Sequence, residues 1–350
     1  MYHYYRLQIL ELMEILLFLT AVLARLALTI GTFQSAVTDF PGFTMLLAHR
    51  LEFSFFNDKM GLALSEAVVY KTKENTLNLA AINPFGFFHN EYIRGLANSI
   101  ITAEIDVNPF GYVDFYVQLA IDEIALGETM QPDPGAYPNA LGYMLGARAA
   151  FPLKDEFIVE TSLEAAFTDP FLYLRGLDGV TNSSIAGYSH GYGYDAIFKN
   201  LNNGGDYKRM SLGYQYGGDA IVLNFTSSLE YIGHWSVFFN SMYMWHGNKR
   251  IDSQWSAYGK NGQNDLITIL SGDVIERTFI LSTGGKYNIN KVPGMYVKAN
   301  VDYVNIVNMK SDTPTVVDCV DYGDTVDVYL NELGSNHSDI QMSFAVGYSF

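Results

Sequence analysis

From Phe43 onward the side chains alternate between apolar and polar with a period of two, and the connections between these runs alternate between tight and long. In Phe43–Phe56 the odd positions are Phe43, Met45, Leu47, His49, Leu51, Phe53 and Phe55, against Thr44, Arg50, Glu52 and Ser54. Gly111–Glu123 sets Val113, Phe115, Val117, Leu119 and Ile121 against Tyr112, Asp114, Gln118 and Asp122, and Phe157–Thr168 repeats the pattern. A period of two puts successive side chains on opposite faces of a strand. Further strands are expected at Met60–Lys71, Asn98–Val107, Ala140–Phe151, Ala220–Tyr231, Trp235–His246, Ile275–Tyr287, Met295–Val307 and Gln341–Phe350. With one near Ala21–Phe33 the total is about twelve, each of the roughly ten residues that cross an outer membrane at a tilt.

The connections narrow the class. Asn57-Asp58, Asn108-Pro109, Pro152 to Asp155, Ile232-Gly233 and Asn288 to Gly294 are tight. Thr72 to Ala97, Ile124 to Asn139, Asp169 to Asp219, Gly247 to Val274 and Asn308 to Asp339 are long. A meander β-barrel with short periplasmic turns and long outer loops predicts this alternation, and a soluble β-sandwich does not. Composition agrees. Aromatics are 15% and charged residues 17%, yet mean hydropathy is only +0.07, as expected where one face meets lipid and the other water. The fold expected is therefore all-β, a transmembrane antiparallel meander barrel over residues 41–350.

The last strand, Gln341 to Phe350, alternates completely, with Met342, Phe344, Val346, Tyr348 and Phe350 on one face. It resembles the C-terminal signal by which barrels are recognised for membrane insertion, which implies the barrel assembly machinery as a partner alongside outer-membrane lipid. Residues 1–40 are less defined. The uncharged run Ile15–Ala24 is too short for a spanning helix, and Glu11 and Glu14 precede it where a signal peptide would be basic. A signal, an early strand and a start inside a longer barrel all stay open there.

A net charge of −16 argues against nucleic acid, and the single cysteine, Cys319, excludes intrachain disulfides and multi-cysteine metal sites. The seven histidines have no metal spacing, and no cofactor is expected. Gly187-Tyr188-Ser189-His190-Gly191 matches a nucleophile-elbow pattern but lacks the following helix that chemistry needs, so no enzyme is read from it. Asp321, Asp324, Asp327 and Glu332 lack calcium-loop spacing and read as a solvated acidic loop. Inward positions such as Arg50, Glu52, Glu104, Asp106, Asp114, Asp122, Arg148, Glu160, Glu164, Glu230, Lys298 and Asp302 are mostly acidic. They suit either an ion-paired, stiffened lumen or a cation-favouring channel. Tyr188, His190, Tyr192, Tyr194, Trp255 and Tyr258 in the long loops suit sugar rings or a membrane-interface girdle equally.

One block resembles a known family. Leu47-Ala48-His49-Arg50-Leu51-Glu52 is followed by Gly61-Leu62-Ala63-Leu64-Ser65-Glu66-Ala67-Val68-Val69-Tyr70 and then by Ile82-Asn83-Pro84-Phe85-Gly86-Phe87-Phe88-His89-Asn90. The order is similar to that in the Wzi-like capsule assembly proteins of diderm bacteria. Asp114 to Ile124 resembles the family's acidic strand end, and Gly217-Gly218-Asp219-Ala220 resembles a strand start. The likeness covers about residues 43–250 and the last strand. It implies an outer-membrane barrel that anchors capsular or other surface polysaccharide without enzymatic activity. Arg50, Glu52, Glu66, Asn83, His89 and Asn90, with Asp122, Tyr188, His190 and Trp255, are its glycan-binding or lumen candidates. Ala63 is an extra residue relative to the family step and turns Glu66 into the apolar set, so a bulge is expected there. The family also begins earlier, which implies that strands of a larger barrel precede residue 41.

Overall fold

The computed structural model describes residues 23–34, 43–71, 97–124, 139–154, 156–174, 193–200, 204–249, 270–272, 274–309, 315–319, 324–328 and 335–349. In chain order the strands are β1 (Leu23–Gln34), β2 (Phe43–Phe55), β3 (Met60–Lys71), β4 (Ala97–Val107), β5 (Val113–Glu123), β6 (Ala140–Leu153), β7 (Phe157–Thr168), β8 (Gly193–Asn200), β9 (Gly204–Ser211), β10 (Ala220–Tyr231), β11 (Trp235–His246), β12 (Glu276–Asn288), β13 (Met295–Met309), β14 (Thr315–Cys319), β15 (Asp324–Val328) and β16 (Ser335–Tyr348). The described residues contain no helix.

Twelve strands form one antiparallel meander in the order β1-β2-β3-β4-β5-β6-β7-β10-β11-β12-β13-β16. This matches the number and order expected from the alternation. The sheet's two end strands, β1 and β16, have no described pairing with each other. Two hairpins, β8–β9 and β14–β15, stand outside the sheet within long connections that were expected to be loop. The last strand also begins earlier than expected, at Ser335, and pairs with β13 through a register shift between Ile306 and Met309.

The tight turns reverse the chain with left-handed backbone. Asn57 and Asp58 have φ of 56° and 61°, and Gly233 sits at 76° in the β10–β11 turn. Asn tolerates that region better than most residues, and Gly adopts it freely, so the Asn-Asp and Ile-Gly pairs are where these reversals belong.

The expected bulge at Ala63 is absent. Registers β2–β3 and β3–β4 run without interruption through it, pairing Ala63 with Glu52 and with Glu104. The small side chain is what the position needs, because Arg50 of β2 reaches across it to Glu104 of β4. Glu66 therefore stays on the apolar face. It is buried there, accepts a hydrogen bond from Ser99 Oγ at 2.7 Å and lies 3.4 Å from His49 Nε2.

One face carries large apolar groups that stay exposed, among them Val117, Leu145, Leu163, Leu223, Val237 and Val301. Aromatics bracket them. Toward the tight turns, Phe157 stacks on Tyr231 at 4.8 Å and meets Trp235 edge-on. Toward the long connections, Tyr143 stacks on Phe167, and Tyr243 contacts Trp245 and Phe279. On β7 the step from Phe157 to Phe167 is about 34 Å of strand.

Candidate functional site

The opposite face of the sheet, termed the inner face, divides into two zones. Toward the long connections it is covered by two segments that fold back onto the sheet. The first follows β7: Pro170, Phe171, Leu172, Tyr173 and Leu174 are all buried. It turns on backbone bonds from Leu172 N–H to the Asp169 carbonyl and from Leu174 N–H to the Phe171 carbonyl. Leu172 and Tyr173 pack with Val69 of β3 and Ile100 of β4. Burying Leu172 fully contributes about 1.5–3 kcal/mol. The second segment precedes β10. Its Tyr214 belongs to that cluster and also to the cluster of Ala166, Val222, Met242 and Met244 on β7, β10 and β11. Tyr173 Oη accepts the Tyr214 N–H at 2.9 Å, so the two segments are bonded to each other.

Three carboxylates hold these segments. Asp122 falls where the β5–β6 register shifts, between Ile121 and Glu123. A bulge of this kind re-aims a side chain. The Asp122 carboxylate accepts the Tyr173 N–H at 3.0 Å and Asn98 Nδ2–H at 3.3 Å. Asp169 accepts the Leu141 N–H at 2.9 Å. Burial pushes its carboxyl up, the Leu141 bond opposes that, and the Asp219 charge adds to it. Asp219 is fully buried with φ of 60°. It accepts from Lys249 N–H at 2.8 Å, from Ser271 N–H at 2.7 Å and from Ser271 Oγ–H. It thereby ties the chain after β11 and the chain before β12 to the inward segments. Burial, with Asp122 nearby, pushes the Tyr173 hydroxyl up to about 12, so it is neutral in the packed segment.

Gly218 explains the Gly-Gly-Asp sequence. A Cβ there would stand 2.8 Å from the Leu172 carbonyl oxygen and 2.9 Å from that of Asp169, and backbone cannot yield cheaply. The segment and the strand start fit together only because this residue has no side chain.

Toward the tight turns the inner face is polar and partly open. Arg50 forks onto Glu104 at 2.5 and 2.9 Å, donates Nε–H to Glu52 at 2.5 Å and reaches Ser65 at 3.2 Å. Arg148 pairs with Asp114 at 2.6 Å and lies over the Tyr116 ring, whose hydroxyl donates to Glu164 at 2.7 Å. A cavity of about 690 Å³ opens beside this network, lined by Asp106, Asp114, Arg148, Glu160, Ser228, Phe238 and Asn240 among others. Arg50→Met would leave Glu52 and Glu104 facing each other. All three groups are 24–42% exposed, so solvent screening holds the expected loss to about 1–2 kcal/mol of unfolding free energy, read by urea titration. Arg50→Lys keeps the charge without the fork and should recover less than half.

Of the candidates read from sequence, Arg50 and Glu52 meet in one inner-face network, and Asp122 anchors an inward segment. Glu66 is on the outer face, away from both. Phe344, Val346 and Tyr348 are more than half exposed on the outer face of β16. Asn83, His89, Asn90, Tyr188, His190, Trp255 and Phe350 lie outside the described residues. Sequence reasoning missed Asp169, Tyr173, Tyr214 and Asp219 as site residues. The available signal was the apolar run Pro170-Phe171-Leu172-Tyr173-Leu174, out of place in a solvated loop. The chain matches no family model, and no curated protein matches it in sequence.

Proposed function

We propose that the sheet closes between β1 and β16 into a barrel of the outer membrane of a diderm bacterium, and that this barrel binds or anchors surface polysaccharide instead of conducting solutes. An even number of antiparallel strands leaves the two end strands antiparallel, as closure needs. The exposed aliphatic band between two aromatic belts has the height of a membrane core, about 25 Å. In water so large an apolar face would aggregate.

The observation that carries the non-conducting reading is the covering of the inner face toward the long connections by Pro170–Leu174 and Tyr214–Asp219. A barrel occluded at that end has its long loops as its working surface. Those loops hold Asn83, His89, Asn90, Tyr188, His190 and Trp255, the aromatic and hydrogen-bonding types that suit sugar rings. The resemblance to Wzi-like capsule assembly proteins supports the same role and suggests a capsular polymer.

A strain lacking the protein should release surface polysaccharide into the medium while total polymer stays constant. Normal retention would sink the reading. The second reading, a cation-favouring channel, is favoured by the acidic cavity toward the tight turns. Steady open steps of the purified protein in planar bilayers would establish that reading in place of the first.

A further inference from the structure

The inner face toward the tight turns carries acids and lysines that lack ion-pair partners among the described residues, on different strands. On β4, β7 and β10 stand Asp106, Glu160 and Glu230; the first two line the cavity. Among the described residues, neither Asp106 nor Glu160 has a basic partner within ion-pair distance. Gly61 leaves the space that the Asp106 carboxylate occupies, since a Cβ there would lie 2.2 Å from Asp106 Oδ1. On β12 and β13 stand Lys286 and Lys298, direct register partners on the same inner face. Their ammonium groups lie 4.7 and 5.4 Å from the centroid of one ring, Tyr296, and no described carboxylate is within ion-pair distance of either.

Two like charges sharing one ring repel each other. An ordinary structural network would interleave the signs, as Arg50 and Arg148 do with their acids. Here Asp106, Glu160, Lys286 and Lys298 stand unpaired among the described residues, with Arg148 in the same cavity engaged by Asp114 and with Asp302 four residues from Lys298 on β13. Glu230 stands in the lysines' own row, two strands from Lys286, about 10 Å by strand spacing. Asp106 is on the fourth strand of the sheet and Lys298 on the eleventh, so closure would set an acidic wall facing a basic one. Such walls set a field across the space between them and favour a ligand that carries both signs.

We propose that this vestibule binds a zwitterionic saccharide, with free amino groups against Asp106 and Glu160 and acidic groups against Lys286 and Lys298. The proposal rests on the polysaccharide-binding barrel reading and names its ligand class.

The test is titration calorimetry of the detergent-folded protein, its fold checked by heat-modifiable gel mobility. The probes are a partly N-deacetylated hyaluronan oligosaccharide carrying both charges, its N-acetylated anionic parent, a cationic chitosan oligosaccharide and a neutral chitin oligosaccharide. The zwitterionic probe should bind at least tenfold tighter than each of the other three at low salt. The Lys286→Gln/Lys298→Gln pair and the Asp106→Asn/Glu160→Gln pair should each cut that affinity about tenfold, and 0.5 M salt should abolish the preference. Indifference to the free amino group, or to either pair of substitutions in folded protein, overturns the inference and leaves the barrel reading standing. If polysaccharide is retained normally in the deletion strain and no saccharide binds the folded barrel, both fall together.

Discussion

Replacing Asp219 with alanine is expected to destabilise the protein by on the order of 3–5 kcal/mol, a large effect for a single site. Its carboxylate accepts from two backbone N–H groups and one hydroxyl in a site closed to water. Alanine strands all three donors, each a loss of about 1–3 kcal/mol if no water enters. The backbone adds a further cost, since φ of 60° is poor for alanine. Asp219→Gly removes the carboxylate while relieving the backbone, and Asp219→Asn keeps one acceptor and tolerates the left-handed region. The expected order of urea midpoints is therefore wild type, then Asn, then Gly, then Ala. Gly at or above wild type would show that the carboxylate holds nothing.

The sheet was legible in the sequence because its cause is local. Period two depends only on neighbouring side chains, and tight turns depend on pairs such as Ile232-Gly233. So β3, β7, β10 and β11 were expected within a residue or two of their ends. Elements whose cause is distant were less legible. Asp122 reads as one more inward acid until the β5–β6 register shift aims it at Tyr173, and that shift depends on the partner strand. Pro170 to Leu174 reads as part of a long loop because its burial depends on Val69 and Ile100, about 70 to 100 residues earlier in the chain. The missing bulge at Ala63 has the same origin. Parity along β3 favoured it, but the Arg50–Glu104 fork across the strand required a small residue in register. The hairpins β8–β9 and β14–β15 were missed because eight- and five-residue strands carry too few alternations to stand out from their loops.

The inward segments lead to the second large effect. Wild-type protein in a planar bilayer should show no steady conductance, and Leu172→Ala/Tyr173→Ala should produce long-lived open steps. Each truncation costs about 2–5 kcal/mol of packing where it stands. The two side chains share one cluster, so their costs combine less than additively. A segment of five residues docked by a few side chains and hydrogen bonds has a local stability well below that of the whole sheet. Losing both anchors should therefore release the segment while the strands stay paired, which unchanged β-sheet circular dichroism would verify. Leu163→Ala, on the outer face, is the control and should remain silent. The same records carry a second reading. With Asp106, Glu160 and Glu230 left without described basic partners on one side and Lys286 and Lys298 on the other, the opened lumen should be only weakly cation-selective, since charges of both signs face the ion path. Strong cation selectivity would mean that the lysines do not reach that path, and wild-type currents equal to the double variant's would mean that the inward segments never occluded it.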